Sequence, residues 1–322
     1  MDIIFFYTFV ANVIGHTSNG KTYLKFMMKK KILFLLMLLC ITMGVKAQLL
    51  WKISGSDLSK PSYVLGTHHL APLSIIDSIP AFYKVLDEVD EVYGELVMSE
   101  MSDPLNIQKM QQAVVMPGDT TLRTLLTPSQ YDSAAVKIKA LMGVDLNMLD
   151  RMKPSFITSQ VAVLLAMKTI KGYNPQQQMD VWVQSEAIKR GKKVAGLETM
   201  DFQTQILFNS QSLKRQAAQM ICTLMHLDES QQVALRLTDG FMHQDLSKME
   251  EVLNTRMGND CDPLPEEEET LIYGRNASWV KQMPAIMKAR QTLFVVGSGH
   301  LLGERGVLHL LRMQGYKVEA VK

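Results

Sequence analysis

The sequence predicts an α/β (α+β) protein: a mixed central sheet made from two related β-turn-α-β halves, with a mostly helical insertion between them. Three observations carry that expectation. An aliphatic strand pattern runs into Gly66-Thr67-His68-His69 near the start, and another runs into Gly297-Ser298-Gly299-His300 near the end. In both turns glycine stands first and histidine fourth, followed by a leucine, a helix and a further strand. The long stretch between them has mainly helical spacing.

Taken in order, residues 1–47 read as upstream residues and an export leader. Lys29, Lys30 and Lys31 are its basic region, Ile32 to Met43 its apolar run, and Val45-Lys46-Ala47 its small-x-small cleavage site. Gln48 is then the first mature residue, and Met27 or Met28 the start of the leader. An apolar run of about a dozen residues falls short of the roughly 20 that a membrane span needs. The expectation is therefore an exported chain, periplasmic, envelope-associated or secreted, without a stable membrane span after cleavage. Cys40 follows Leu38-Leu39 and lacks the small residue that a lipoprotein signal places there.

The mature part, 48–322, reads as one α/β domain with a helical middle over about 128–290. Leu50 to Gly66 has the pattern of a hairpin, turning through Gly55-Ser56-Asp57. Pro80 to Leu86 reads as a helix, and Glu91 to Val97 as a strand whose Val and Tyr suit a pleated surface. Thr127-Pro128 is a helix start, threonine as cap and proline in the first turn. A single strand, Lys193 to Glu198, interrupts the helical middle. The acidic run Glu266 to Glu269 opens another helix, where negative charge meets the positive end of the dipole. Gln291 to Val296 is a buried-type strand, a helix follows through Leu311, and Tyr316 to Val321 is the last strand.

Charge excludes a class of partner. Residues 1–47 take six lysines and one aspartate from totals of 34 basic and 32 acidic residues, leaving 28 and 31. A nearly neutral mature surface lacks the clustered Lys/Arg of a nucleic-acid footprint. Cys222 and Cys261 form an even pair that an oxidising compartment can bridge, although two separate thiols fit the spacing equally well. Oligomeric state leaves no trace in the sequence.

If the two β-turn-α-β units lie side by side, His69 and His300 face one crevice at the carboxyl ends of the strands, where ligands bind in open α/β sheets. Two imidazoles and a carboxylate are ordinary ligands for zinc, manganese or cobalt. Glu95 is the first carboxylate candidate and Glu198, in Gly196-Leu197-Glu198-Thr199, the second. Either would move a proton as general base. Arg275 and Asn276 are candidates to hold a substrate carboxylate or an oxyanion. Simpler roles stand beside these: the histidines as hydrogen-bonded turn residues, Glu95 as a solvent-facing strand residue, Arg275 as a buried partner of Glu198 or Glu95. His309 reads as packing within the last helix, His226 and His243 as surface residues. The stretch Gly297-x-Gly299-x-x-x-Gly303 imitates a dinucleotide fingerprint, but His300 would crowd the turn where a pyrophosphate needs bare backbone.

These residues resemble a known family. WKISGSDLSKPSYVLGTHHLAP is similar to the first motif of the TraB/PrgY/GumN (Tiki-like) family, a tryptophan strand followed by GT-x-H. VYGEL, GKKVAGLETMDFQ with Gln203, and RNASW with Trp279 resemble its later segments, and VVGSGHLLGERGVLHLLRMQGYKVEAV its C-terminal signature. The resemblance spans about 50–322. It implies a metal-dependent protease in which His69, His300 and Glu95 carry a manganese or cobalt ion or its water. It also implies a fold shared with erythromycin esterases and haem-uptake proteins. The alternative is a non-catalytic cell-envelope protein that binds a peptide or haem in the same crevice, or a structural cell-surface protein. The segment Gly172-Tyr173-Asn174-Pro175 departs from the Gly-x-Asp of the family, which leaves a role for Asp180 open.

Overall fold

The computed structural model describes residues 48–322, which fall in one compact unit. The leader expected over 1–47 lies outside the described residues. Among those residues no helix is long and apolar enough to cross a membrane.

Six strands form one mixed sheet in the order β4-β3-β5-β2-β1-β6. The hairpin is β1 (Leu50–Ser54) and β2 (Ser62–Thr67), paired antiparallel with Leu50 opposite Leu65. β3 (Glu91–Gly94), β4 (Lys193–Gly196) and β5 (Thr292–Gly297) run parallel to β2, and β6 (Lys317–Ala320) pairs antiparallel with β1. The four parallel strands explain the unbroken aliphatic runs: Val64, Leu65, Leu293, Phe294 and Val295 are all fully buried, as strands covered on both faces must be.

The two related units interlock rather than standing as separate halves. β5 is inserted between β2 and β3, so the second unit splits the sheet positions of the first. Their glycines are one rung out of step, because Gly66 lies opposite Val296 and Gly297 opposite Thr67. Gly66 is required by close approach. A Cβ there would stand 2.7 Å from Leu301 Cδ1 and 3.3 Å from the Ser298 backbone.

Helix α1 (Phe82–Glu88) links β2 to β3 and begins two residues later than the sequence suggests, after Ala81 at φ 55°. The helical middle opens earlier than 128, with α2 (Pro104–Ala113) capped by Asp103, whose side chain accepts from the Leu105 and Asn106 N–H groups. There follow α3 (Leu122–Leu125) and α4 (Pro128–Met142), the latter starting on the expected Thr127-Pro128 with a capping box to Gln130. Next are α5 (Pro154–Thr169), α6 (Met179–Lys189), α7 (Met200–Phe208) and α8 (Leu213–Met225). The rest are α9 (Leu227–Met242), α10 (Leu246–Asn254), α11 (Pro265–Glu268), α12 (Gly274–Ala289) and α13 (Val307–Met313).

The acidic run does open a helix, but α11 gives way to a π turn, Glu269–Tyr273, before α12. Such turns shift helical register and gather at functional sites. Gly274 ends this one, since a Cβ would meet the Glu269 carbonyl oxygen at 2.9 Å.

Two cores hold the molecule. One follows the sheet, from Leu49 and Phe82 to Trp279 and Leu311. The other lies wholly inside the insertion, where Leu122, Ala134, Ile138, Val161 and Met220 are closed from water. A Cys222–Cys261 disulfide, Cα–Cα 5.4 Å, ties the end of α8 to the loop before α11. His226 lies beside it, its Nδ1 3.0 Å from the Cys222 carbonyl oxygen, while His243 is exposed against Asp239.

Candidate active site

Three adjacent parallel strands, β3, β5 and β2, end at one crevice, and each delivers one candidate residue there. Glu95 follows the last residue of β3, His300 lies on the 3-10 turn after β5, and His69 lies just beyond β2. β4 adds Glu198. The backbone N–H of Glu198 donates to the Glu95 carbonyl at 2.9 Å, so strand pairing continues just far enough to hold the two acids together.

Glu95 is gripped from three sides. Its Oε1 accepts the Gly297 N–H at 2.7 Å, and its Oε2 accepts from Arg275 Nη2 at 2.6 Å and Gln203 Nε2 at 3.1 Å. Burial pushes its carboxyl up, but His300, the Arg275 guanidinium and the Gly297 N–H outweigh burial and hold it below the usual range. It is therefore ionised at neutral pH.

Glu198 has both oxygens spent. Oε1 accepts from Trp279 Nε1 and Arg275 Nε, both at 2.9 Å, and Oε2 from Arg275 Nη2 at 2.8 Å and Gln203 Nε2 at 3.2 Å. Arg275, buried on α12, is equally committed. Nη1 reaches the Leu271 carbonyl and His300 Nε2, both at 3.1 Å, which accounts for all five guanidinium N–H groups. Trp279, four residues on and so on the same helix face, lies under the guanidinium at 4.8 Å.

His300 is fixed in one tautomer. Asn276 Nδ2 donates to the Arg305 carbonyl at 2.8 Å, which leaves its Oδ1 to accept from His300 Nδ1 at 2.7 Å. The lone pair of His300 is then on Nε2, which accepts from Arg275 Nη1 and lies 3.8 Å from Glu95 Oε1. Burial pushes this imidazole down to about 4, so it is neutral at pH 7, as a metal ligand must be.

His69 stands opposite, its side chain 62% exposed, with Nδ1 3.3 Å from Asp180 Oδ2. Asp180 on α6 is nearly closed from solvent. Its other oxygen accepts from Thr67 Oγ1 at 2.8 Å, while Oδ2 makes no hydrogen bond. The hydrogen-bonding geometry and charge of Asp180 push His69 up to about 9, burial opposing. A ring that open to water feels less of this than a buried one would. Its neighbour His68 has another role: Nε2 is 3.3 Å from Thr238 Oγ1, the ring packs on Phe241, and burial pushes it down to about 4.

The donor set suits a divalent ion. It contains one neutral imidazole with an oriented lone pair, one ionised carboxylate, and a second imidazole, backed by a buried carboxylate, that gives up a proton on binding metal. The three donors are not drawn to a single point, however. Among the described residues, the one group of three whose ligating atoms lie within 4.8 Å of one another is Cys222, His226 and Cys261, and both sulfurs are spent in the disulfide. An Arg275 N–H occupies the lone pair of His300, and His69 leans on Asp180. A cavity of about 160 Å3 opens beside His69 and Glu95, walled by Met98, Met101, Met110 and Met200.

Asp180, Gln203 and Trp279 hold the site although the sequence assigned them no role. Asp180 meets Thr67 across 113 positions, which no local pattern can show. Gln203 had a usable signal: Thr199 caps α7 by accepting from the Phe202 N–H, and that cap turns Gln203 back onto the two acids.

Fold and site together define an α+β protein whose sheet-end crevice pairs two glycine-led histidine turns with two part-buried glutamates. Residues 49–320 match the TraB/PrgY/gumN family, and the chain belongs to it. The chain is 23% identical to Metalloprotease TIKI2 of Danio rerio over 84% of its length and 60% of the relative's. Metalloprotease TIKI1 of the same fish gives 23% over 84% and 62%, and a Metalloprotease TIKI homolog of Amphimedon queenslandica 21% over 87% and 62%. The chain thus spans about three-fifths of the length of these relatives. No solved structure gives a significant match.

Proposed function

We propose that this chain is an exported metal-dependent peptidase. The observation that carries the reading is the delivery of Glu95, His300 and His69 to one crevice by three neighbouring parallel strands. The name of its relatives, metalloprotease, supplies the substrate class. His69, His300 and Glu95 would hold the ion, with manganese, cobalt and zinc all compatible with that donor set. When bound, such an ion polarises the scissile carbonyl and lowers the pKa of the attacking water.

The chain's own residues do the rest. Asn276 keeps His300 Nε2 turned to the crevice, and Asp180 does the same for His69 from its Nδ1 side. Glu95 Oε1, with a single hydrogen bond, has room for the ion or for the proton of its water, whereas Glu198 has no oxygen to spare. Arg275 and Gln203 bridge the two glutamates and keep Glu95 charged and oriented. Arg275 and Asn276 therefore serve as holders of the acid and the imidazole, their donors already engaged.

Metal content decides the matter. Purified protein loaded with manganese, cobalt or zinc should carry about one ion, and His69→Ala and His300→Ala should each lose it. Peptide cleavage should disappear with chelator and return with metal. A folded wild-type protein that takes up no metal would sink the proposal. Stoichiometric metal without cleavage of any peptide in a randomised library would favour the ligand-binding alternative.

A further inference from the structure

Beside the active site lies a cavity of about 900 Å3 that shares Thr204 of α7 with it. Its walls are rich in amides: Gln108, Gln111 and Gln112 from α2, and Gln205 from α7. Lys153, also on the lining, is only 6% exposed. Its backbone is pinned by an N–H bond to the Val114 carbonyl at 2.8 Å, and Pro154 after it starts α5.

The ammonium of Lys153 is a charge without a counter-charge. Its hydrogen-bond partner is Asn209 Oδ1, a neutral group, and among the described residues no carboxylate oxygen lies within 4.0 Å. The acid on the lining, Asp201, is taken by Lys109 at 2.8 Å. An ammonium has three donors, and this one spends a single donor on Asn209. Burial of an unpaired cation is costly, and here it holds the lysine below its ordinary range. A purely structural role does not need that cost, since a methionine would fill the same volume. An arriving anion would neutralise the charge and use the idle donors, with the glutamine amides completing its hydrogen bonds.

We propose that this cavity is a carboxylate-binding subsite anchored by Lys153, taking the terminal or side-chain carboxylate of a peptide. As a substrate subsite it rests on the peptidase reading; as a carboxylate site it does not.

The test is therefore a binding measurement in chelator, where no turnover is required. By titration calorimetry, acetyl-tetraalanine with a free C-terminus should bind wild type at least tenfold more tightly than its C-terminal amide. An amidated peptide with one internal glutamate tells side-chain from terminal recognition. Lys153→Met should abolish the acid-over-amide preference, and Lys153→Arg should retain most of it. Wild type that binds acid, amide and internal-glutamate peptide equally, or binds none of them, overturns the proposal, and this comparison stands even if the methionine variant does not fold. A preference that survives in folded Lys153→Met also overturns it. No cleavage by the metal-loaded protein, with this preference intact, would count against the peptidase reading alone.

Discussion

Arg275 shows how much of the candidate site depends on one side chain. Among the described residues it is the sole guanidinium touching Glu95 and Glu198, and it also occupies the lone pair of His300. Removing one partner from a buried ionic cluster leaves uncompensated charge, at a cost of roughly 3–5 kcal/mol. Arg275→Met should lose about that much stability in urea unfolding, whereas Glu198→Gln, which keeps shape and some hydrogen bonding, should lose less. A cost below about 1 kcal/mol for Arg275→Met would mean that the two carboxylates are not both ionised in the folded protein. The sequence offered both readings of this arginine, oxyanion holder and buried partner, and could not choose between them. The choice depends on all five N–H groups finding acceptors, three of them on Glu198 and Glu95, 77 and 180 positions away.

At the scale of elements, what could be read in advance was whatever carries its own period or cap. The aliphatic strands β2 and β5, the Thr127-Pro128 start and both histidine turns have local signals. α2 was missed for a physical reason: it buries no residue, and Leu105 and Ile107 are 59% and 42% exposed, so no apolar stripe marks it. The π turn before α12 leaves no period to read either. The same scale holds the disulfide, whose partners stand 39 positions apart. Closing a loop of that length restricts the unfolded chain by an amount worth about 2–4 kcal/mol. Reduction, or Cys222→Ala with Cys261→Ala, should therefore lower stability by that order. Because Arg215 also binds this loop, through the Asp260 and Asp262 carbonyls, the segment should stay docked at neutral pH. Hydrogen exchange that rises throughout the insertion after reduction, rather than near residues 255–264, would contradict that picture.

For the molecule as a whole, the interlocked units make the metal-binding candidates part of the fold's own charge balance, and pH reads that balance directly. Consider the metal-free protein in chelator. His68 and His300 titrate at about 4 when folded and near 6.5 when unfolded. Between those values the unfolded chain binds more protons, so stability is full above pH 6.5 and falls as pH drops towards 4. His69 runs the other way. Its folded value of about 9 exceeds 6.5, so its contribution is complete below 6.5 and drains away as pH rises to 9. The exposure of its ring makes that alkaline limb the shallower of the two. Glu95 and Glu267, both held low in the fold, add a further acid loss below the ordinary carboxylate range. The urea midpoint should therefore peak near pH 6.5, fall steeply towards pH 4 and gently towards pH 9. His300→Asn should make the acid limb shallower, leaving the share of His68, with the alkaline limb in place, and His69→Asn should flatten the alkaline limb alone. A midpoint that is level from pH 7 to pH 5 would mean that burial does not depress either imidazole below its ordinary value.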